Sequence, residues 1–225
     1  MVESTPESFR GEQGADFAKH QLQGRPRILH VGRPACSVPG RLADVGFAVT
    51  ATAGEELATL DDSFDAIVFS HALSTAESLD TTIEHAARLL SATGRLVVDD
   101  IDAQAIDMMS ARWFYDLQEL LAVTGLYPSD RVHRPNADPI ARWRDGTRAD
   151  GIAHSGTEMR IAISARFAIR DLKRVEGFYR HISDGLPADS RGAAVASHVR
   201  GVERRLIASD ALLPVGLRVV ADRTR

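Results

Sequence analysis

The stretch Arg27-Ile28-Leu29-His30-Val31 runs into Gly32 and then into a turn that contains Pro34 and Cys36. A mostly apolar strand, a glycine turn and a following helix make the opening of a βαβ unit. The next segment, about Pro39–Val45, suits a short helix that Gly46 would close. This succession commits the chain to a parallel sheet, because a strand joined to its parallel neighbour needs a helix-sized crossover.

The pattern continues along the chain. Phe47–Ala53 alternates and is β-branched, as a second strand would be, and Gly54–Leu60 offers one or two helical turns. Phe64-Asp65-Ala66-Ile67-Val68-Phe69-Ser70 is a near-continuous apolar strand of the kind buried on both faces. A helix with Leu79, Ile83, Ala86, Ala87 and Leu90 on one face follows, its approach capped by Ser74 and Glu77. Gly94 ends that connection, and Arg95–Asp99 is another buried strand. Met108, Met109, Trp113, Leu117, Leu120 and Leu121 form a helical stripe that closes near Gly125.

Periodicity is lost from Tyr127 to Gly156, a segment rich in proline, glycine and arginine that reads as a binding loop or lid. Met159, Ile161 and Ile163 alternate like a strand, yet Thr157-Glu158 could open a helix, and both readings stay open. Phe167–Leu172 is a strand, about 177–186 and 191–208 are helical, and Pro214–Ala221 is a last strand. Residues 1–24 are polar and read as an N-terminal arm or covering helix. Residues 25–225 are expected to form a single domain, with the lid at about 127–156 and a helical insertion at about 177–208. Strands alternating with helices predict an α/β fold, an open, doubly wound, mostly parallel sheet with helices on both faces.

Composition removes several alternatives. A single cysteine, Cys36, rules out an internal disulfide and a cysteine-based zinc site. The start is acidic and no apolar run approaches membrane-spanning length, so a cytoplasmic protein without membrane contact is expected. Residues 1–130 carry a net charge of −11 and residues 131–225 carry +7. The basic half has no basic cluster interleaved with aromatics in the way nucleic-acid surfaces usually require, which argues against nucleic acid as a partner.

The run Phe64–Leu73, the helix ending Ala87-Arg88-Leu89-Leu90 and the strand Gly94–Val98 resemble the class I S-adenosylmethionine-dependent methyltransferase family. Glu176–Tyr179 and the ending Leu213–Val220 are also similar to its small bacterial members. The resemblance implies a Rossmann-like methyltransferase fold with the last strand antiparallel, and S-adenosylmethionine as cofactor. Matching the family's cofactor positions residue by residue gives His30 for the acidic residue that ends the first strand. Gly32 and Arg33 then stand in the glycine turn, and Ala53 at the ribose-binding acid, with Glu55 as a substitute two residues on. Asp62 falls near the adenine and Ser70 at the edge of the pocket. Only the first glycine of the turn is present, and the family's third strand is shortened or missing.

Ligands of such sheets sit at the carboxyl ends of the strands. There His71 is a candidate general base, or else a pocket-lining side chain, and His154 is a second candidate base. Asp99 and Asp100 are candidate substrate-binding acids, and Trp143 and Tyr179 candidate walls of an apolar substrate cavity, with Trp143 on the lid. Asp99, Asp100 and Asp102 lack a second acidic site, so no metal is expected. Two functions remain open. One is a methyltransferase acting on an O or N of a small molecule. The other is a methyltransferase-fold protein with a degraded cofactor site, working as a non-catalytic subunit or repurposed. The protein partners to consider are a second copy of the chain and a second methyltransferase-like subunit.

Overall fold

A computed structural model describes residues 5–129 and 138–224. The chain divides into two compact units: a sheet unit of residues 11–102, 153–174 and 217 onward, and a helical unit of the remainder. No helix among the described residues is long and apolar enough to cross a membrane.

The sheet unit contains β1 (Arg27–Gly32), β2 (Ala48–Thr52), β3 (Phe64–Ser70), β4 (Leu90–Ile101), β5 (Phe167–Val175) and β6 (Gly216–Arg223). Their order across the sheet is β2-β1-β3-β4-β6-β5. The β1–β2, β1–β3 and β3–β4 pairings are parallel. Two ion pairs link β4 with β6: Asp99 with Arg218, and Arg95 with Asp222. Moving back along β4 therefore moves forward along β6, as in antiparallel neighbours, and the expected mostly parallel sheet with an antiparallel last strand is observed. β2 is an edge strand, and residues 54–59 beyond it form one 3-10 helix rather than a further strand.

Period-two alternation distributes the core to the two faces of the sheet. Leu29, Val31, Ile67, Phe69, Leu96, Val98, Leu217 and Val219 share one apolar cluster with residues of α3 (Leu79–Leu89) and α6 (Gly156–Ser164). Ile28, Ala66, Val68 and Val97 share the other with Ala15 and Ala18 of α1 (Pro6–Gln21), Leu22 just beyond it, and Val38 and Leu42 of α2 (Val38–Asp44). Full burial of each such aliphatic side chain contributes about 1.5–3 kcal/mol. Helices therefore cover both faces.

Two local readings are corrected and one left open is resolved. The segment 127–156 is not irregular throughout: Pro139–Ala149 is a helix, α5, while residues 130–137 of the proposed lid lie outside the described residues. The Asp138 carboxylate accepts from Ile140 N, Pro139 occupies the first turn, and Trp143 and Thr147 bury one stripe. Residues 156–164 form α6, because Ser155 Oγ accepts from Glu158 N while the Glu158 carboxylate accepts from Ser155 N, a reciprocal cap. The cap of α3 is Ser78 rather than Ser74, its hydroxyl accepting from Thr81 N.

The helical unit holds α4 (Met108–Val123), α5, α7 (Phe178–Ser183) and α8 (Ser190–Ala208). On α4 the buried stripe is Ser110, Ala111, Phe114, Tyr115, Gln118 and Leu121, whereas Met109 and Leu120 are 63% and 61% exposed. Polar Ser110 and Gln118 are held inside by hydrogen bonds, to Leu213 N and Tyr127 Oη. Those partners turned the helix away from the stripe that its apolar residues alone imply.

Candidate functional site

Parallel register brings the carboxyl ends of the central strands level, with Val31 beside Thr52, Gly32 beside Ser70, and Ser70 beside Asp99. His30, Ser70 and Asp99 share the parity of Ile28, Val68 and Val97, so all three side chains stand on the face covered by α1 and α2. The His30 ring is buried, with Nε2 3.0 Å from Ser70 Oγ and 3.7 Å from Cys36 Sγ. Burial lowers its pKa to about 4, leaving a neutral imidazole where the family pattern implied an acid. A Cβ on Gly32 would lie 2.7 Å from His30 Cε1 and 3.1 Å from Ser70 O, so glycine is required by the ring packed against it.

The turn after Gly32 is closed by Cys36 N donating to Arg33 O, with Arg33, Pro34 and Ala35 exposed. α1 approaches the next residues through its glycines: a Cβ on Gly11 would lie 1.8 Å from Ser37 Oγ, and one on Gly14 3.0 Å from Val38 Cγ2. Arg218 fastens the same helix, its Nε donating to Asp99 Oδ1 at 3.0 Å while its guanidinium lies 4.5 Å above the Phe17 ring. The sequence reading missed Arg218, since only the pairing of β4 with β6 places it beside Asp99.

Beyond β2, Ala53 begins the 3-10 helix, with its N–H and the Thr52 hydroxyl both donating to Glu56. Glu55 is exposed and has no hydrogen bond or ion pair to another described residue, and Asp62 is also exposed. These residues therefore leave the Glu55 carboxylate available at the end of β2.

His71 follows β3 with a φ of 52°, and its amide donates to Asp99 O, extending the β3–β4 ladder by one residue. Asp100, fully buried, accepts from Leu73 N and Ser74 N through one oxygen and from Ile101 N through the other. Burial pushes its pKa up, opposed by these bonds. Both candidate substrate acids are thus engaged within the fold, Asp99 by Arg218 and Asp100 by the loop it anchors. His154 Nε2 lies 2.8 Å from Ala76 O, which can only accept, so that nitrogen carries the proton and Nδ1 is the one left for other chemistry. Among the described residues no group of three His, Cys, Asp or Glu could hold a metal ion.

In the helical unit, Trp143 is buried rather than displayed on a lid, its Nε1 donating to Ala103 O at 2.7 Å. Its ring meets Phe114, Phe178 and His181 edge-on. Tyr179 is buried as well, edge-on to Phe9, with the Arg180 and Arg200 guanidinium groups each 5.7 Å from its ring. Nearby, Glu203 takes three backbone N–H bonds at the start of α7, from Gly177, Phe178 and Tyr179. The sequence reading did not single it out.

Residues 34–98, from the turn after β1 to the interior of β4, match the family model described as a methyltransferase domain. A methyltransferase from Mesorhizobium loti described as S-adenosylmethionine dependent superposes with a TM-score of 0.50. The identity is 14%, over 95% of this chain and 100% of that one. Geranyl diphosphate C-methyltransferase from Streptomyces coelicolor A3(2), solved with Mg²⁺, geranyl-S-thiolodiphosphate and S-adenosyl-L-homocysteine, also gives 0.50. There the identity is 14%, over 95% and 76% of the two chains.

The chain has a Rossmann-like methyltransferase fold.

At such low identity the structural likeness shows the fold alone, and no curated protein matches the sequence. The span matched by the family model contains the ends of β2 and β3 together with Glu55, Asp62, Ser70 and His71. His30, Gly32 and Arg33 immediately precede the match, and Asp99 immediately follows it.

Proposed function

We propose that the protein is an S-adenosylmethionine-dependent methyltransferase acting on an oxygen or nitrogen of a small molecule. The observation that carries this reading is the level alignment of Gly32, Thr52, Ser70 and Asp99 at one end of a parallel sheet, within and beside the matched domain. The residues present fit the cofactor in outline: a glycine turn that begins at Gly32, a hydroxyl at Ser70, and an uncommitted carboxylate at Glu55 to accept from ribose hydroxyls. His30, Arg33, Ala53 and Asp62 complete the proposed binding edge. When bound, the cofactor supplies an electrophilic methyl group on a sulfonium.

The protein's own part is alignment and proton management. Methyl transfer depends chiefly on holding the acceptor atom in line, a contribution of orientation rather than of strong base catalysis. In this reading His71 takes the acceptor's proton, and the bond from its amide to the Asp99 carbonyl, which fixes its backbone, supports the assignment. His154 would assist only through Nδ1. Asp99 and Asp100 act by fixing α1 and the loop after β3, and Trp143 and Tyr179 by shaping the helical unit.

A second reading, a domain that keeps the fold and has lost the cofactor, is favoured by the His30 ring lying against Gly32. Transfer of a radiolabelled methyl group to a panel of small phenols and amines separates the two. Label in product that falls with His71→Ala supports the first reading. Absence of label in every product, with folded protein, supports the second.

A further inference from the structure

The helical unit contains a cavity of about 590 Å³, a size that suits a small organic ligand. All of its lining residues belong to that unit. Its walls are aromatic: Trp143 stands 5.1 Å from Phe114 and 5.0 Å from His181, centroid to centroid, both nearly edge-on. Tyr115 adds a further face, already covered by the Arg142 guanidinium at 3.8 Å.

Two polar atoms in these walls have no partner among the described residues. Gln118, 7% exposed, gives its amide N–H to Tyr127 Oη at 3.0 Å, and its Oε1 accepts from nothing. His181 Nε2 is likewise unpartnered, while Nδ1 lies 3.9 Å from Asp150 Oδ2. Burial lowers the pKa of His181, and in the neutral tautomer that carries its proton on Nδ1, towards Asp150, Nε2 is an acceptor. Buried acceptors left without donors cost free energy that a ligand's N–H groups would recover.

The charged groups complete the description. Among the described residues, Asp145, Asp150 and Asp184 line the cavity together with the guanidinium of Arg142. Asp184 is engaged by Arg10 and Asp145 lies 3.9 Å from the Arg148 guanidinium, while the Asp150 side chain is 59% exposed. Aromatic side chains, orphaned acceptors and lining carboxylates together favour one ligand chemistry. We infer that this cavity binds a small organic cation, a protonated amine carried on an apolar or aromatic body. The ammonium would donate to Gln118 and His181 while the apolar body packs on Trp143 and Phe114.

The test uses the whole chain without cofactor, so its outcome is separate from that of the methyl-transfer assay. In a Trp113→Phe background, Trp143 fluorescence reports the cavity during titration with 2-phenylethylamine, 2-phenylethanol or 3-phenylpropionate. A saturable change with the amine is expected, at least about tenfold tighter than with the alcohol or the acid. Gln118→Leu and the exposed double variant Asp145→Asn/Asp150→Asn should each weaken the amine by about fivefold or more, with unchanged far-ultraviolet circular dichroism. No saturation by about 10 mM amine, equal binding of amine and alcohol, or unaltered binding in a folded double variant would each overturn the inference.

Discussion

The His30 imidazole and the Ser70 hydroxyl meet at 3.0 Å between the ends of β1 and β3, at the place where this fold presents ligands. The contact joins neutral partners and fills the space above Gly32. Much of what can be tested follows from the chemistry of that face.

His30 should remain unprotonated well into acid. Its folded pKa of about 4 lies below the usual 6.5, so the unfolded chain takes up the proton first as pH falls. Stability from the neutral ring is present above pH 6.5 and is lost as pH falls towards 4, by about 3 kcal/mol. The imidazole Cε1–H resonance should titrate with a midpoint near 4, and His30→Gln should lose this acid sensitivity. A midpoint between 6 and 7 would show the ring to be solvated.

Glu203 should behave in the opposite sense. Burial raises its pKa to about 7, against three backbone N–H donors that favour the carboxylate. Its contribution is therefore fully present below about 4.5 and lost as pH rises through 7, again about 3 kcal/mol. Wild-type stability should fall relative to Glu203→Gln between pH 4.5 and 8 in urea denaturation. The His30 and Glu203 slopes oppose each other, so each emerges only against its own variant. A wild-type-minus-Gln difference that is flat with pH would contradict this assignment.

Arg218 and Asp99 should be strongly coupled. Removing one member of this part-buried pair takes a charge-assisted hydrogen bond from the other, at a cost of roughly 1.5–3 kcal/mol. Arg218→Met should be that destabilising, and adding Asp99→Asn should restore much of the loss. Additive single and double variants, measured by chemical denaturation, would show that the pair carries no special role.

Much of the sheet was legible because burial on both faces leaves long apolar runs such as Phe64–Ser70, and because glycine turns punctuate them. The site was legible by position, since any residue at a strand's carboxyl end is a candidate. What could not be read were the engagements made across the fold. Asp99 and Asp100 looked like free acids until β6 and the loop after β3 supplied their partners. Trp143 looked like a lid residue because Pro139 and Gly146 mask the period of α5. The apolar stripe of α4 misled for a related reason, since Gln118 and Ser110 are drawn inward by hydrogen bonds that periodicity does not register.

The central proposal is most directly tested by calorimetric titration of the folded protein with S-adenosylmethionine and S-adenosylhomocysteine. Saturable heat is expected for both, with Glu55→Gln weakening them by roughly tenfold to a hundredfold, the cost of about 1–3 kcal/mol for a lost carboxylate acceptor. No heat with either ligand at millimolar concentration, from protein shown to be folded, would contradict it.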